Sequence, residues 1–215
     1  MKILVIGATG GSGRAVTTEL LARGHSVTAF SRHASDLRLD GDLRTVDGDA
    51  TRPEQVEAAM AGQDVVVVTL GISESAIRVR LRGAGSTPDD VRSRGTRVVV
   101  DAMRAAGTRR LVVQSSYGVG PTRPLLGLAD RAFFALVLKP QIADTERQEQ
   151  IVRGSDVEWT IVQPVHLTDG PAAEARVTQD GVIGGHTISR SSLASVLADV
   201  VEGEHGTRRT LSVSG

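Results

Sequence analysis

The chain has 215 residues, of which 40% are apolar, enough for one large α/β core. Its 25 basic residues balance 25 acidic ones, so the charge gives no indication of a nucleic-acid or anionic-membrane partner. Cysteine is absent, which excludes disulfides, thiolate metal sites and a cysteine nucleophile.

Predicted strands and helices alternate along nearly the whole chain. Apolar runs predict strands at residues 2–6, 26–31, 44–46 with its neighbours, 64–70, 110–114 and 158–162, and a short one near Leu211. Helical spacing of apolar residues predicts a helix at residues 14–23, and further helices are predicted after Thr51 toward residue 60 and at residues 91–106, 142–153 and 191–201. Strands separated by helices favour right-handed crossovers. We therefore expect an α/β fold, a Rossmann-like doubly wound parallel sheet, in a single domain covering residues 1–215.

Two of the predicted helices have recognisable ends. Thr51, with Glu54 three residues later, forms a capping box that predicts the start of the helix running to Met60. Residues 87–90, Thr-Pro-Asp-Asp, predict the cap of the long helix that Gly107 ends.

A glycine-rich turn, Gly-Ala-Thr-Gly-Gly-Ser-Gly at residues 7–13, lies between the first strand and the first helix. Such a turn points backbone N–H groups and the positive helix end at one spot, which suits a dinucleotide pyrophosphate. The spacing is G-x-x-G-x-x-G and not G-x-G-x-x-G, so an ordinary βα turn without a ligand is the alternative. The predicted cofactor contacts of this turn are Gly7, Thr9, Gly10, Gly11, Ser12 and Gly13.

Further candidates follow the other strands, because ligands of such sheets bind at the carboxyl ends of the strands. Arg32 stands where enzymes that use NAD usually carry an acid, and a guanidinium there would pair with a 2′-phosphate. Asp49 would accept from the adenine amino group. The alternatives are a surface arginine and a loop aspartate. The remaining candidate cofactor contacts are Ala50, Leu70, Gly71, Ser115, Gln163 and Pro164.

Three polar residues after the fifth and sixth strands are the candidate catalytic residues. The Ser116 hydroxyl is expected near the nicotinamide or the acceptor, or else it satisfies the local backbone. His166 would donate to the substrate or orient the nicotinamide, or be structural. Tyr117 is the only tyrosine, and Pro121 stands where a Tyr-x-x-x-Lys pair needs its lysine, so that proton-transfer dyad is absent.

With these residues the chain resembles the atypical short-chain dehydrogenase/reductase group, and most of all the flavin reductase/biliverdin-IXβ reductase family. The resemblance covers nearly the whole chain in order. The matching positions are Gly7-Ala8-Thr9-Gly10, Gly13, Arg32, Gly48-Asp49, Ala61-Gly62-Gln63-Asp64, Leu70-Gly71, Ser116, Arg153, Ser155, Pro164, His166 and Asp169. The resemblance implies a monomeric-type Rossmann fold that binds NADPH and passes hydride to flavins or similar planar acceptors. More loosely, the chain resembles the NmrA-like proteins, which bind the same cofactor without confirmed catalysis.

Two segments have no counterpart in that family. Residues 76–82 alternate apolar residues with Arg78, Arg80 and Arg82, which predicts a short strand or flap. These arginines would bind an anionic substrate or simply protect an exposed edge. Residues 125–138 predict a helix beside the site, which serves as core, as an apolar substrate wall or as a partner surface.

The sequence therefore predicts an NADPH-dependent reductase of a planar small molecule: a flavin, a quinone or a tetrapyrrole-like acceptor. The alternative is a non-catalytic NADP(H)-binding redox sensor. The apolar run after Met1 is short and ends in glycines, and no stretch reaches the roughly 18 apolar residues of a membrane span. We expect a cytoplasmic monomer or weak homodimer without metal, nucleic-acid or membrane partners.

Overall fold

The computed structural model describes residues 1–71, 89–127 and 139–215. The arginine-rich segment 76–82 lies outside the described residues, and so does most of the predicted helix 125–138. Within the described part, no helix is long and apolar enough to cross a membrane.

The described residues form ten strands, and eight of them make the sheet at the centre of the fold. In chain order the strands are β1 (Lys2–Ile6), β2 (Ser26–Ser31), β3 (Leu43–Asp47), β4 (Val65–Val68), β5 (Arg110–Gln114), β6 (Glu158–Pro164), β7 (His166–Thr168), β8 (Arg176–Thr178), β9 (Thr187–Ser189) and β10 (Arg209–Ser214). The sheet order is β3-β2-β1-β4-β5-β6-β10-β8, and β7 pairs with β9 separately. All neighbours in the large sheet are parallel except β8, which runs antiparallel to β10. The predicted α/β, Rossmann-like sheet is confirmed.

Helices cover both faces of this sheet. They are α1 (Gly11–Ala22), α2 (Pro53–Met60), α3 (Val91–Ala106), α4 (Lys139–Arg153) and α5 (Arg190–Glu202). Alternate residues of β1 point to opposite faces, so Ile3 and Val5 pack in one apolar core with α1 and α5. Leu4 and Ile6 pack in a second core with α2, α3 and α4. Burial on both faces explains why the central strands are almost continuously apolar.

The predicted capping box is wrong. The cap position of α2 is Arg52, and no side chain bonds there. The Thr51 side chain points back toward the preceding residues and not toward the helix: both its backbone N and its Oγ1 donate to Asp49 Oδ1 at 2.8 Å. Pro53 follows as the first helical residue and has no N–H that a cap could satisfy.

The ends of α3 follow the prediction only in part. Gly107 ends the helix in the left-handed region, at φ 76°, as predicted. Asp90 occupies the position before the helix, but its side chain makes no capping bond. The carboxylate of Asp144 on α4 takes that role and accepts from the backbone N of Arg92 at 2.9 Å and of Ser93 at 3.2 Å.

Candidate active site

A cleft of about 250 Å³ lies at the carboxyl ends of β1 to β4. It is the edge of the sheet where a ligand is expected. Eight of the predicted cofactor contacts line it: Gly7, Thr9, Gly10, Arg32, Asp49, Ala50, Leu70 and Gly71.

The glycine turn is built by three glycines with different tasks. Gly7 has φ 88°, and its N–H donates to the Phe30 carbonyl at 2.9 Å. A Cβ on Gly13 would overlap the Gly7 carbonyl oxygen, so this glycine allows α1 to pack on the turn. Gly10 has an ordinary φ of −67°, and among the described residues a Cβ there would meet only the Gly7 oxygen, at 3.3 Å. Its missing side chain therefore leaves room in front of the turn.

The first turn of α1 supplies hydrogen-bond donors to that room. The N–H groups of residues 11–13 have no acceptor within the helix, because each would need a carbonyl four residues earlier. The predicted contacts Gly11, Ser12 and Gly13 are not among the residues that line the cleft. Arg190 packs against Gly11, since a Cβ built there would lie 2.7 Å from Arg190 Nε. The cleft reaches Gly10, directly before these N–H groups, and the start of a helix beside an open cleft fits a pyrophosphate.

A polar corner follows β2 and β3. Arg32, an exposed residue after β2, and Asp49, after β3, both line the cleft. Burial alone would raise the pKa of Asp49. The hydrogen bonds from Thr51 and the charges of Arg32 and Arg52 outweigh this and hold the pKa below its usual value. Asp49 is therefore an ionised acceptor in a fixed orientation.

Thr69 and Gly48 line the same cleft and were not among the predicted site residues. Thr69 Oγ1 donates to the Ile6 carbonyl at 3.1 Å and so braces the turn after β1. A Cβ on Gly48 would lie 2.5 Å from Phe30 Cζ, so any larger residue at this position would clash with the Phe30 ring. Gly48 could have been predicted, because it belongs to the pair Gly48-Asp49 that matches the reductase family. Thr69 follows a run of four valines, and nothing in the sequence indicated that it lines a cleft.

Two predicted cofactor contacts, Ser115 and Gln163, direct their side chains into the protein. Ser115 Oγ donates to Glu149 Oε1 at 2.5 Å, and Gln163 Nε2 donates to the same oxygen at 2.7 Å. Arg153 pairs with Glu149 Oε2 at 2.9 Å, and the Glu149 side chain is only 3% exposed. We call Ser115, Glu149, Arg153 and Gln163 the Glu149 cluster. It joins α4 to the ends of β5 and β6.

The three candidate catalytic residues lie outside the lining of the cleft. Ser116 is half-buried, and its Oγ donates to the Tyr117 carbonyl at 3.3 Å. Tyr117 Oη donates to the Gly181 carbonyl at 3.0 Å, and burial raises its pKa. Tyr117 N also bonds the carbonyl of Pro164, a buried residue, at 2.9 Å. His166 is exposed in β7. Ser116 and Tyr117, which are neighbours in the sequence, both lie just after β5, and His166 lies on the small sheet of β7 and β9.

The chain is similar to several solved structures along its whole length. ChuY, an anaerobillin reductase from Escherichia coli O157:H7, is 22% identical with a TM-score of 0.79, and the match covers 100% of this chain and 97% of that one. A short-chain dehydrogenase/reductase from Veillonella parvula, solved in complex with NADP, is 17% identical with a TM-score of 0.78, covering 100% and 94%. Identities this low show a shared fold alone.

Curated relatives match over a shorter region. A 3-beta-hydroxysteroid dehydrogenase of Mycolicibacterium neoaurum is 42% identical over 71 residues, which are 33% of this chain and 19% of that protein. The chain thus spans about a fifth of that relative's length. The model of the NAD(P)H-binding family matches residues 7–204, from the glycine turn to just beyond α5. The chain belongs to this NAD(P)H-binding family.

Proposed function

We propose that this protein is an NADPH-dependent reductase that acts on a planar acceptor: a flavin, a quinone or a tetrapyrrole. The observation that carries the proposal is the cleft itself, which is lined both by the glycine turn and by Arg32. Membership of the NAD(P)H-binding family supports a dinucleotide as its occupant.

Each part of the cleft suits one part of NADPH. The N–H groups at the start of α1 would hold the pyrophosphate, and Gly10 leaves the space for it. Arg32 would pair with the 2′-phosphate through charge-assisted hydrogen bonds. Asp49 would accept from the adenine amino group. When bound, NADPH supplies the hydride, and the protein supplies binding and orientation.

A planar, electron-poor acceptor is favoured because Tyr117, the single tyrosine of the chain, is not arranged as an activated proton donor. The Tyr117 hydroxyl is already bonded to the Gly181 carbonyl, and no lysine stands four residues after Tyr117. Flavins and quinones accept hydride when their ring stacks on the nicotinamide, and water can supply the proton that they then take up. The name of the structural neighbour ChuY, an anaerobillin reductase, adds a tetrapyrrole to the acceptors worth testing.

The decisive experiment is NADPH oxidation by the purified protein with FMN, FAD, menadione or biliverdin as acceptor. We expect turnover with at least one of the four. The hydrogen bond that occupies the Tyr117 hydroxyl is equally compatible with a second function, a non-catalytic NADP(H) sensor, which needs no proton donor. Tight NADPH binding without turnover on any of the acceptors would favour that second function.

Arg32→Ala should weaken NADPH binding by about 10- to 150-fold and leave NADH binding unchanged. The loss of a charge-assisted pair with the 2′-phosphate is worth about 1.5–3 kcal/mol. Fluorescence titration of both cofactors measures the change. Arg44→Ala, an exposed arginine on the edge strand β3, is the matched control and should bind both cofactors like the wild type. Equal wild-type affinities for NADPH and NADH would contradict the assignment of Arg32.

Ser116→Ala and Tyr117→Phe should each lower kcat by about tenfold or less, which is at most roughly 1.4 kcal/mol of barrier. Neither hydroxyl is expected to be an obligatory acid, since Ser116 and Tyr117 both bond backbone carbonyls. Steady-state kinetics with the best acceptor test this. Complete loss of turnover in Tyr117→Phe, with normal NADPH binding, would identify a proton donor and refute the expectation.

A further inference from the structure

Arg92 places a second guanidinium beside Gly71, a residue that lines the cleft at the end of β4, whereas Arg32 follows β2. Arg92 lies in the first turn of α3, directly after Val91, which lines the cleft. Its guanidinium packs against Gly71, another lining residue at the end of β4. A Cβ built on Gly71 would lie 3.0 Å from Arg92 Nη2 and 3.5 Å from Cζ.

Arg92 as a whole is half-buried, and its pKa is lowered by burial of the guanidinium. Across residues 1–71, 89–127 and 139–215 the guanidinium makes no hydrogen bond or ion pair. The nearby carboxylate of Asp144 is used elsewhere: it accepts from the backbone N of Arg92 and Ser93 and from Ser93 Oγ. Burial lowers the pKa of Arg92, and the Asp144 charge offsets only part of that effect. A charge withdrawn from water is unfavourable until an acceptor meets it.

We propose that Arg92 binds an anionic oxygen of the ligand held in the cleft. The identity of that ligand rests on the proposed function. Two sources share this chemistry: the pyrophosphate of the dinucleotide, and the phosphate or carboxylate of an anionic acceptor. The planar guanidinium can donate two parallel hydrogen bonds to either group. Arg32 and Arg92 would then contact different groups of the bound molecules.

The test replaces Arg92 with methionine, which keeps much of the length and removes the charge. Two dissociation constants are measured by fluorescence: NADPH with the free protein, and FMN with the protein saturated with NADP⁺. At least one should rise by about 10- to 150-fold. The melting temperature of the ligand-free protein should stay the same or rise, because an unpaired charge has been removed. Arg97→Met, an exposed arginine on the same helix, is the control and should change neither constant.

The two binding measurements identify the source of the anionic group. A loss confined to NADPH assigns Arg92 to the cofactor, and a loss confined to FMN assigns it to the acceptor. An unchanged NADPH affinity overturns the proposal if the FMN affinity of the variant is also unchanged, or if the wild type itself does not bind FMN. Arg92→Lys keeps the charge and should recover part of any lost affinity. If it recovers none, and both variants melt at a lower temperature, Arg92 only supports the fold and the proposal is again overturned.

Failure of the proposed function gives a different result. A protein that turns over none of the acceptors loses its assignment as a reductase. NADPH binding to Arg92→Met still reports on this arginine in that case.

Discussion

Gly10→Val should abolish measurable NADPH binding, a loss of at least about 100-fold, while the protein stays folded. Gly10 has a φ of −67°, which any residue adopts, and within the part of the chain that the structure describes a Cβ there has one close neighbour, at 3.3 Å. The valine side chain therefore costs the fold little but fills the space in front of the α1 N–H groups. NADPH titration followed by fluorescence measures the loss, and circular dichroism confirms the fold.

Two further glycine variants separate binding from folding. Gly154→Val also has an unstrained backbone, with its nearest neighbour at 3.2 Å, and lies beyond the end of α4, outside the cleft lining. It should bind NADPH like the wild type. Gly13→Ala should unfold the protein or lower its stability markedly, because its Cβ would overlap the backbone of Gly7. Normal NADPH affinity in Gly10→Val would mean that the pyrophosphate binds elsewhere.

Glu149→Ala should lower the free energy of unfolding by about 3–5 kcal/mol. The buried carboxylate accepts from Ser115 and Gln163 in the interior. Its removal opens a cavity, leaves the Ser115 hydroxyl without this acceptor, and leaves Gln163 Nε2 with only its bond to the Val119 carbonyl among the described residues. Glu149→Gln keeps an acceptor oxygen and should cost less. Urea unfolding followed by circular dichroism gives both values.

A surface carboxylate on the same helix provides the comparison. Glu146 pairs with Arg123 at 2.6 Å, and the Arg123 side chain is 62% exposed. Glu146→Ala should therefore change the free energy of unfolding by no more than about 1 kcal/mol. Similar losses for Glu146→Ala and Glu149→Ala would show that the Glu149 cluster adds nothing to stability.

The sequence predicted the central strands and the helices well because their signals are local and strong. The bounds of β1, β2 and β5 agree with the prediction residue for residue, since each is an apolar run ended by glycine or polar residues. The strands β7, β8 and β9 were not predicted. Each has three residues, too few for any periodicity, and is held by pairing with a distant segment.

The candidate site also has a part that could be predicted from the sequence and a part that could not. Residues directly after β1 to β4 could be placed in the cleft because the topology brings those strand ends together. The Glu149 cluster could not be predicted from spacing, since its members come from β5, α4 and β6 and meet only in the folded protein. Ser115 and Gln163 stood after the expected strands, but nothing in the sequence showed that a buried carboxylate occupies their side chains. Their roles as cofactor contacts, like those of the candidate catalytic residues, stay predictions.

The position of β10 in the sheet sets an order on folding. This strand, residues 209–214, lies between β6 and β8 and is the only sheet neighbour of β8 among the described strands. Residues 176–178 therefore have no strand to pair with until a segment about thirty residues later has been made and docked. Until then β6 presents an open edge, the kind of surface on which other chains can add a strand. A nascent or truncated chain should be at its most aggregation-prone just before β10 closes that gap.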